Sequence, residues 1–163
     1  MSWTKGESIT LPNNIKAQQF QYPKNGMKVI ICEMHTAPIT GYMRVVNAGS
    51  AMENGVCGKG IAHFIEHMSF RIDDGKYWKF EKEGHEDNAM TTEDATSFYD
   101  FGHYEHIKDV ISVDGHRFRT NEVPADGIPV EMHAVLNEEE RGRQASGVLF
   151  RTAQASSHLY DRY

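Results

Sequence analysis

The first part of the chain alternates between short apolar-rich stretches and turn-forming residues. Two such stretches, 16–22 and 27–34, are separated by Pro23 and the pair Asn25-Gly26, which together are a strong local signal for a β-hairpin. A third stretch of the same character covers 39–48 and leads into a turn-prone segment. The pattern predicts an opening hairpin followed by a third strand.

The spacing of apolar residues becomes helical between residues 61 and 70. Four of them recur at i, i+3, i+4 and i+7 and therefore share one face of a helix: Ile61, Phe64, Ile65 and Met68. On the opposite face the same helix carries His63, Glu66 and His67. Because that second face is polar and ionisable, we expect it to point at a ligand rather than into a core.

The rest of the chain adds one strand and two helices to this pattern. A strand is predicted at 95–101, a helical stretch at 104–113, a turn-rich segment at 119–129 and a helix from about 130 to 145. The order of strands, helix, strand and helices favours an α+β fold with an antiparallel or mixed sheet packed against helices. A chain of this length has room for one ordinary domain, so we expect residues 1–163 to form a single domain.

Composition and charge exclude several classes of protein. The formal net charge of -6 gives no basic surface for nucleic acid or for anionic lipid. The sequence contains neither an apolar run long enough for a membrane span nor the apolar core of a signal peptide, so a cytoplasmic location is favoured. Cys32 and Cys57 are too few and too far apart for a disulfide framework, and both are expected to be reduced thiols.

The run from His63 to His67 has the pattern H-x-x-E-H. At about 100° per residue, positions i, i+3 and i+4 of a helix project from one face, so both imidazoles and the carboxylate of Glu66 converge. Neutral imidazole is a good zinc ligand, and a catalytic zinc site needs three protein ligands with one position open for water. The motif therefore predicts two ligands and a base, and a third ligand from elsewhere in the chain.

Three blocks of sequence, in this order along the chain, resemble one known family. They are AGSAMENGVCGKGIAHFIEHMSF at 48–70, NAMTTEDATSFYDF at 88–101 and AVLNEEERGR at 134–143. The chain is similar, from about residue 18 to residue 150, to the N-terminal catalytic domain of the family of pitrilysin, insulin-degrading enzyme and mitochondrial processing peptidase, the inverzincins. This resemblance implies a zinc metallopeptidase that hydrolyses peptide bonds with a metal-activated water.

The resemblance also implies roles for individual residues. It assigns three ligands to a single Zn²⁺ ion: His63, His67 and Glu138. It makes Glu66 the general base and Glu131 a supporting catalytic carboxylate, and it places Asn88 and Ala89 on an edge strand that pairs with the main chain of an extended peptide. Periodicity alone leaves the third ligand open between Glu138 and Glu139, because the latter lies closer to a stripe of apolar residues: Met132, Val135 and Leu136.

Members of the family are much longer than this chain, because a second, similar domain closes the active-site cleft. We therefore expect a truncated metallopeptidase domain that needs a complementing domain or chain, or self-association, in addition to its peptide substrate. The leading hypothesis is a zinc metalloendopeptidase. The alternative is a module of the same family that holds the metal and binds peptides or other subunits without catalysis.

Overall fold

The computed structural model describes most of the chain in five pieces. These are residues 2–53, 60–72, 84–119, 123–142 and 144. Cys57, part of the predicted turn-rich segment and the end of the predicted last helix lie outside them, whereas Cys32 is an exposed free thiol. The residues form two compact units, one ending at Pro38 and the other beginning at Ile39.

The first unit is a three-stranded antiparallel sheet in the order β1-β2-β3. Its strands are β1 (Thr4–Thr10), β2 (Lys16–Gln21) and β3 (Lys28–Glu33). The hairpin of β2 and β3 confirms the prediction from the Asn25-Gly26 pair, and Gly26 has a φ of 72°, which glycine adopts without strain. Strand β1 was not predicted, because its sequence is polar and every one of its residues is exposed.

The second unit is built on another three-stranded antiparallel sheet, in the order β4-β6-β5. Its strands are β4 (Ile39–Val46), β5 (Glu86–Thr91) and β6 (Thr96–His103). Strand β6 is the centre of this sheet, and its alternating burial places Thr96 and Phe98 on the covered face. Within the described residues β5 pairs with β6 alone, so its other edge is open to a further strand.

Three α-helices are seen in the described part of the second unit. They are α1 (Ile61–Phe70), α2 (Ile107–Arg117) and α3 (residues 128–142). Helices α1 and α2 pack against the sheet, and the core between them contains Met68, Phe98 and Val110. Antiparallel strands packed against helices confirm the predicted α+β class. None of these helices combines the length and the apolarity needed to cross a bilayer.

Buried ion pairs hold α2 to the sheet. Asp114, which is 4% exposed, accepts hydrogen bonds from the hydroxyl of Tyr42 at 2.5 Å and from Nε of Arg44 at 2.6 Å. On the same helix Arg117 donates to Asp87 of β5 at 2.9 Å. Buried charges are tolerated when they are paired and hydrogen-bonded, so these contacts fix α2 to both edge strands and keep β5 in place for the site described below.

Candidate metal centre

Helix α1, which carries the H-x-x-E-H run, begins at a carboxylate cap. Gly60 precedes the helix with a φ of 88°, and Glu53 accepts hydrogen bonds from the backbone N–H groups of Gly60 at 2.8 Å and Ala62 at 2.9 Å. Those groups have no partner inside the helix, so the cap satisfies them. The hydrogen bonds from Ala62 and Gly60 hold the pKa of the Glu53 carboxyl below its usual value.

Replacing Glu53 with glutamine tests this cap. Because the pKa of Glu53 is lower in the folded chain, the carboxylate stabilises the fold above its unfolded-state pKa of about 4.3, and this stabilisation is lost as the pH falls through the folded-state pKa. We expect wild type to melt at a higher temperature than E53Q near neutral pH, and the two melting curves to converge in acid. Thermal unfolding by circular dichroism in the presence of a chelator measures both. Equal melting temperatures at neutral pH would contradict the prediction.

Three potential donor atoms from two helices meet in front of α1. Nε2 of His63 and Nε2 of His67 are 3.2 Å apart. Oε2 of Glu138, on α3, lies 3.4 Å from the first of these nitrogens and 3.6 Å from the second. Among the described residues this is the one group of three or more metal-ligating side chains that is close enough to share an ion.

The separations of these donor atoms fit zinc. With bonds of about 2.0–2.2 Å, donors at two corners of a tetrahedron lie roughly 3.3–3.6 Å apart, and the three separations of 3.2, 3.4 and 3.6 Å follow that requirement. Two imidazole nitrogens and one carboxylate oxygen are also a donor set that zinc uses in catalytic sites. The residues present therefore suit a single zinc ion with one coordination position left open.

The neighbouring carboxylates of Glu138 and Glu139 approach different parts of α1. While the carboxylate of Glu138 reaches the two histidines, Oε1 of Glu139 lies 3.6 Å from the position that a Cβ would take at Gly60, at the start of α1. An acidic group there is favoured by the partial positive charge of the helix N-terminus. The structure thus brings Glu138, rather than its neighbour, to the histidines.

Glu131 lies behind His67 rather than among the three donors. Its Oε2 is 2.9 Å from Nδ1 of His67, and its Oε1 accepts a hydrogen bond from Nε of Arg71 at 2.7 Å. Partial burial raises the pKa of Glu131, but the hydrogen bonds from His67 and Arg71 outweigh this effect and leave the pKa below its usual value. A carboxylate accepting from Nδ1–H leaves the lone pair of Nε2 directed at the other two donors.

Glu66 occupies the side of α1 that faces the sheet. It is 7% exposed, and its Oε2 accepts a hydrogen bond from the hydroxyl of Thr91 at 2.5 Å. The side chain also lines an open cleft of about 930 Å³ whose wall includes His63, His67 and Glu138. One carboxylate oxygen is therefore engaged by the sheet, while the residue as a whole borders the space in front of the donor atoms.

Strand β5 forms the opposite wall of this cleft. Asn88 and Ala89 both line it, and the side-chain oxygen of Asn88 accepts a hydrogen bond from the backbone N–H of Ala89 at 2.8 Å. Four consecutive residues of β5, from Asn88 to Thr91, line the cleft, and within the described residues β5 pairs with β6 alone. The two residues that the resemblance assigns to peptide binding therefore line the same cleft as the donor atoms, and their role in binding stays a prediction.

Three residues of the site were not singled out from the sequence. They are Glu53, Arg71 and Thr91, which contact the start of α1, Glu131 and Glu66 respectively. Glu53 acts from outside the helix, so no fixed spacing indicates it. Thr91 does stand in the block that begins at Asn88. Its position two residues after Ala89 puts it on the covered face of β5, and that alternation could have identified it.

Comparison with known proteins identifies the family. The signature of the family described as Insulinase (Peptidase family M16) matches residues 28–111, just over half of the chain. No curated protein sequence matches. Two solved structures are similar. The crystal structure of pitrilysin has a TM-score of 0.78 at 21% identity over 88% of this chain. A protease from Helicobacter pylori has a TM-score of 0.63 at 23% identity over 84% of it.

The similar structures are much larger than this chain. The aligned part covers 16% of the pitrilysin chain and 31% of the Helicobacter pylori protease. At these identities the two structures establish a common fold, while the match to the signature over residues 28–111 includes α1 and the strands on both sides of it. The resemblance inferred from the sequence is confirmed: the chain belongs to the insulinase family of peptidases, peptidase family M16.

Proposed function

We propose that this chain provides the catalytic centre of a zinc-dependent metalloendopeptidase that hydrolyses peptide bonds of extended peptides. The observation that carries the proposal is the meeting of His63, His67 and Glu138 at 3.2–3.6 Å, with Glu66 beside them. The two histidines and Glu138 would hold the ion. When bound, zinc lowers the pKa of a water molecule towards about 7 and polarises a peptide carbonyl.

Other residues of the site would transfer protons, orient a ligand and bind the substrate. Glu66 takes a proton from the attacking water on the oxygen that Thr91 does not engage, and returns a proton to the nitrogen of the leaving amine. Glu131 orients His67 through Nδ1. Asn88 and Ala89 border the open edge of β5, which would bind the substrate main chain as an added strand and hold the scissile bond in front of the site.

The proposal includes a complementing partner. The chain spans 16% and 31% of the two similar structures, so we propose that a further domain, a second chain or a second copy completes the cleft around the peptide. The alternative is a module of the same family that holds the metal and binds peptides or other subunits without catalysis. Zinc content measured together with cleavage of a fluorogenic peptide separates the two: bound zinc with no cleavage, even with a partner present, would favour the module.

Matched substitutions at neighbouring positions test the third ligand. We expect E138Q to lower zinc affinity by more than the roughly 100-fold that accompanies loss of an outer carboxylate, because a ligand itself is removed. E139Q should change the affinity only slightly, since the Glu139 side chain extends from α3 to Gly60, at the start of α1. Competition with a chromophoric chelator measures both constants, and E140Q, an exposed position on α3, is the control. Equal losses in E138Q and E139Q would contradict the assignment.

A further inference from the structure

Thr91 makes a short hydrogen bond to the proposed base, Glu66. Its hydroxyl donates to Oε2 of Glu66 at 2.5 Å, at the short end of the range for a hydroxyl bound to a carboxylate. Glu66 is 7% exposed, so little water competes for that oxygen. Because the residues sit on different elements, β5 and α1, the hydrogen bond ties the base to the sheet rather than to its own helix.

The strand end that carries Thr91 is held in place by several contacts. Thr91 faces Thr96 across the hairpin with the hydroxyl oxygens 3.3 Å apart, and Thr96 donates to the backbone oxygen of Ala48 at 2.9 Å. The backbone of Ser50 and Ala51 donates to the hairpin turn at 3.0 and 2.9 Å. The Thr91 hydroxyl that donates to Glu66 therefore belongs to a strand end that these hydrogen bonds hold in place.

Gly49 shows how closely the chain before α1 packs against the turn between β5 and β6. A Cβ at Gly49 would lie 2.4 Å from the backbone oxygen of Thr92 and 2.5 Å from that of Glu93, which real Cβ atoms do not tolerate. The segment from Gly49 leads directly to Glu53, the cap of α1. The hairpin of β5 and β6 and helix α1 are thus joined twice, at the start of the helix through this segment and in its middle through Thr91 and Glu66.

We propose that Thr91 is a positioning residue for the reaction. By occupying Oε2 of Glu66 it fixes the rotation of the carboxylate, so that the other oxygen is presented to the cleft and to the attacking water. This inference rests on the proposed function, in which Glu66 is the base. Its physical basis is that catalytic groups must be held within a fraction of an ångström of the productive geometry, since a misplacement of about 1 Å can cost roughly 100-fold in rate.

The test compares T91V, which keeps the shape and removes the hydroxyl, with T91S, which keeps the hydroxyl. We expect T91V to lower kcat roughly 10- to 100-fold while KM and zinc content stay unchanged, and T91S to remain within a few-fold of wild type. T92V is the control, because Thr92 bonds within the same turn through its hydroxyl but does not contact Glu66. Full activity in T91V, or an equal loss in T91S or T92V, would overturn the proposal.

Crystal structures of T91V and T91S separate this inference from the proposed function. We expect the Glu66 carboxylate to leave its position in T91V and to keep it in T91S, and this readout does not depend on turnover. If wild type neither binds zinc nor cleaves peptides, the proposed function fails, while the position of Glu66 still decides the role of Thr91. A carboxylate that stays in place without the hydroxyl would overturn the positioning role even if the enzyme is active.

Discussion

E66Q is expected to lower the rate of peptide cleavage by about two to four orders of magnitude while leaving zinc bound. Glutamine has the size and shape of glutamate but cannot accept the proton of the attacking water, and positioned general bases contribute roughly 10²- to 10⁴-fold to rate. The three side chains proposed to bind zinc are His63, His67 and Glu138. Glu66 is not one of them, so its replacement removes no ligand. We therefore expect cleavage to fall by about that factor, together with an unchanged ratio of zinc to protein.

The measurement combines elemental analysis with a fluorogenic peptide assay on the same preparations, with and without chelator. E105Q is the matched control, because it removes a carboxylate that is 66% exposed on the short turn before α2. Loss of zinc in E66Q would indicate that Glu66 supports the ligands rather than acting as the base. Wild-type cleavage rates in E66Q would exclude it from the chemistry altogether.

The sequence predicted α1 well, because the H-x-x-E-H spacing and the apolar residues around it both follow a helical period. Its apolar face is less regular than predicted, since Met68 is 2% exposed but Ile65 is 56% exposed. The helix instead turns Glu66 towards the sheet, where Thr91 provides a partner. The periodicity of α1 cannot predict the contact between Glu66 and Thr91, because Thr91 lies 25 residues away on another element.

The proposed third ligand shows why periodicity alone left two alternatives. Glu139 lies near an apolar stripe, but two residues of that stripe, Met132 and Leu136, are 50% and 55% exposed, and Val135 alone is buried. The stripe therefore does not mark the face by which α3 meets α1. That face is marked by Glu131 and Glu138, seven residues apart, which both reach the histidines. The family resemblance selects Glu138, and its carboxylate lies 3.4 and 3.6 Å from the two histidine nitrogens. That it binds the metal stays a prediction.

Strand β5 was predicted through the resemblance and not through its pattern. Its residues EDNAMT lack β-branched and aromatic side chains apart from the final threonine, so strand propensity is low. What holds it as a strand is its pairing with β6 and the ion pair between Asp87 and Arg117. Tertiary contacts override local preference here, at the strand that faces the proposed metal ligands.

H63A and H67A are each expected to eliminate zinc binding. Each removes one of three donors, and the two that remain leave a site too weak to retain the ion against a chelator. Zinc that binds only the folded chain stabilises it by RT ln(1 + [Zn]/Kd), about 2.7 kcal/mol at a hundredfold excess over Kd. We therefore expect zinc to raise the melting temperature of wild type by several degrees and to leave both variants unchanged.

A matched alanine substitution separates ligand loss from a general effect of removing imidazole. His133 is exposed on α3, the helix that also carries Glu138, so H133A should bind zinc like wild type and show the same thermal shift. H67A differs from H63A in one further respect, because it leaves Glu131 paired with Arg71 alone. Since Arg71 still neutralises that carboxylate, the metal-free melting temperatures of the two variants should be close. Zinc retained by either variant at the wild-type ratio would contradict a centre built on these three side chains.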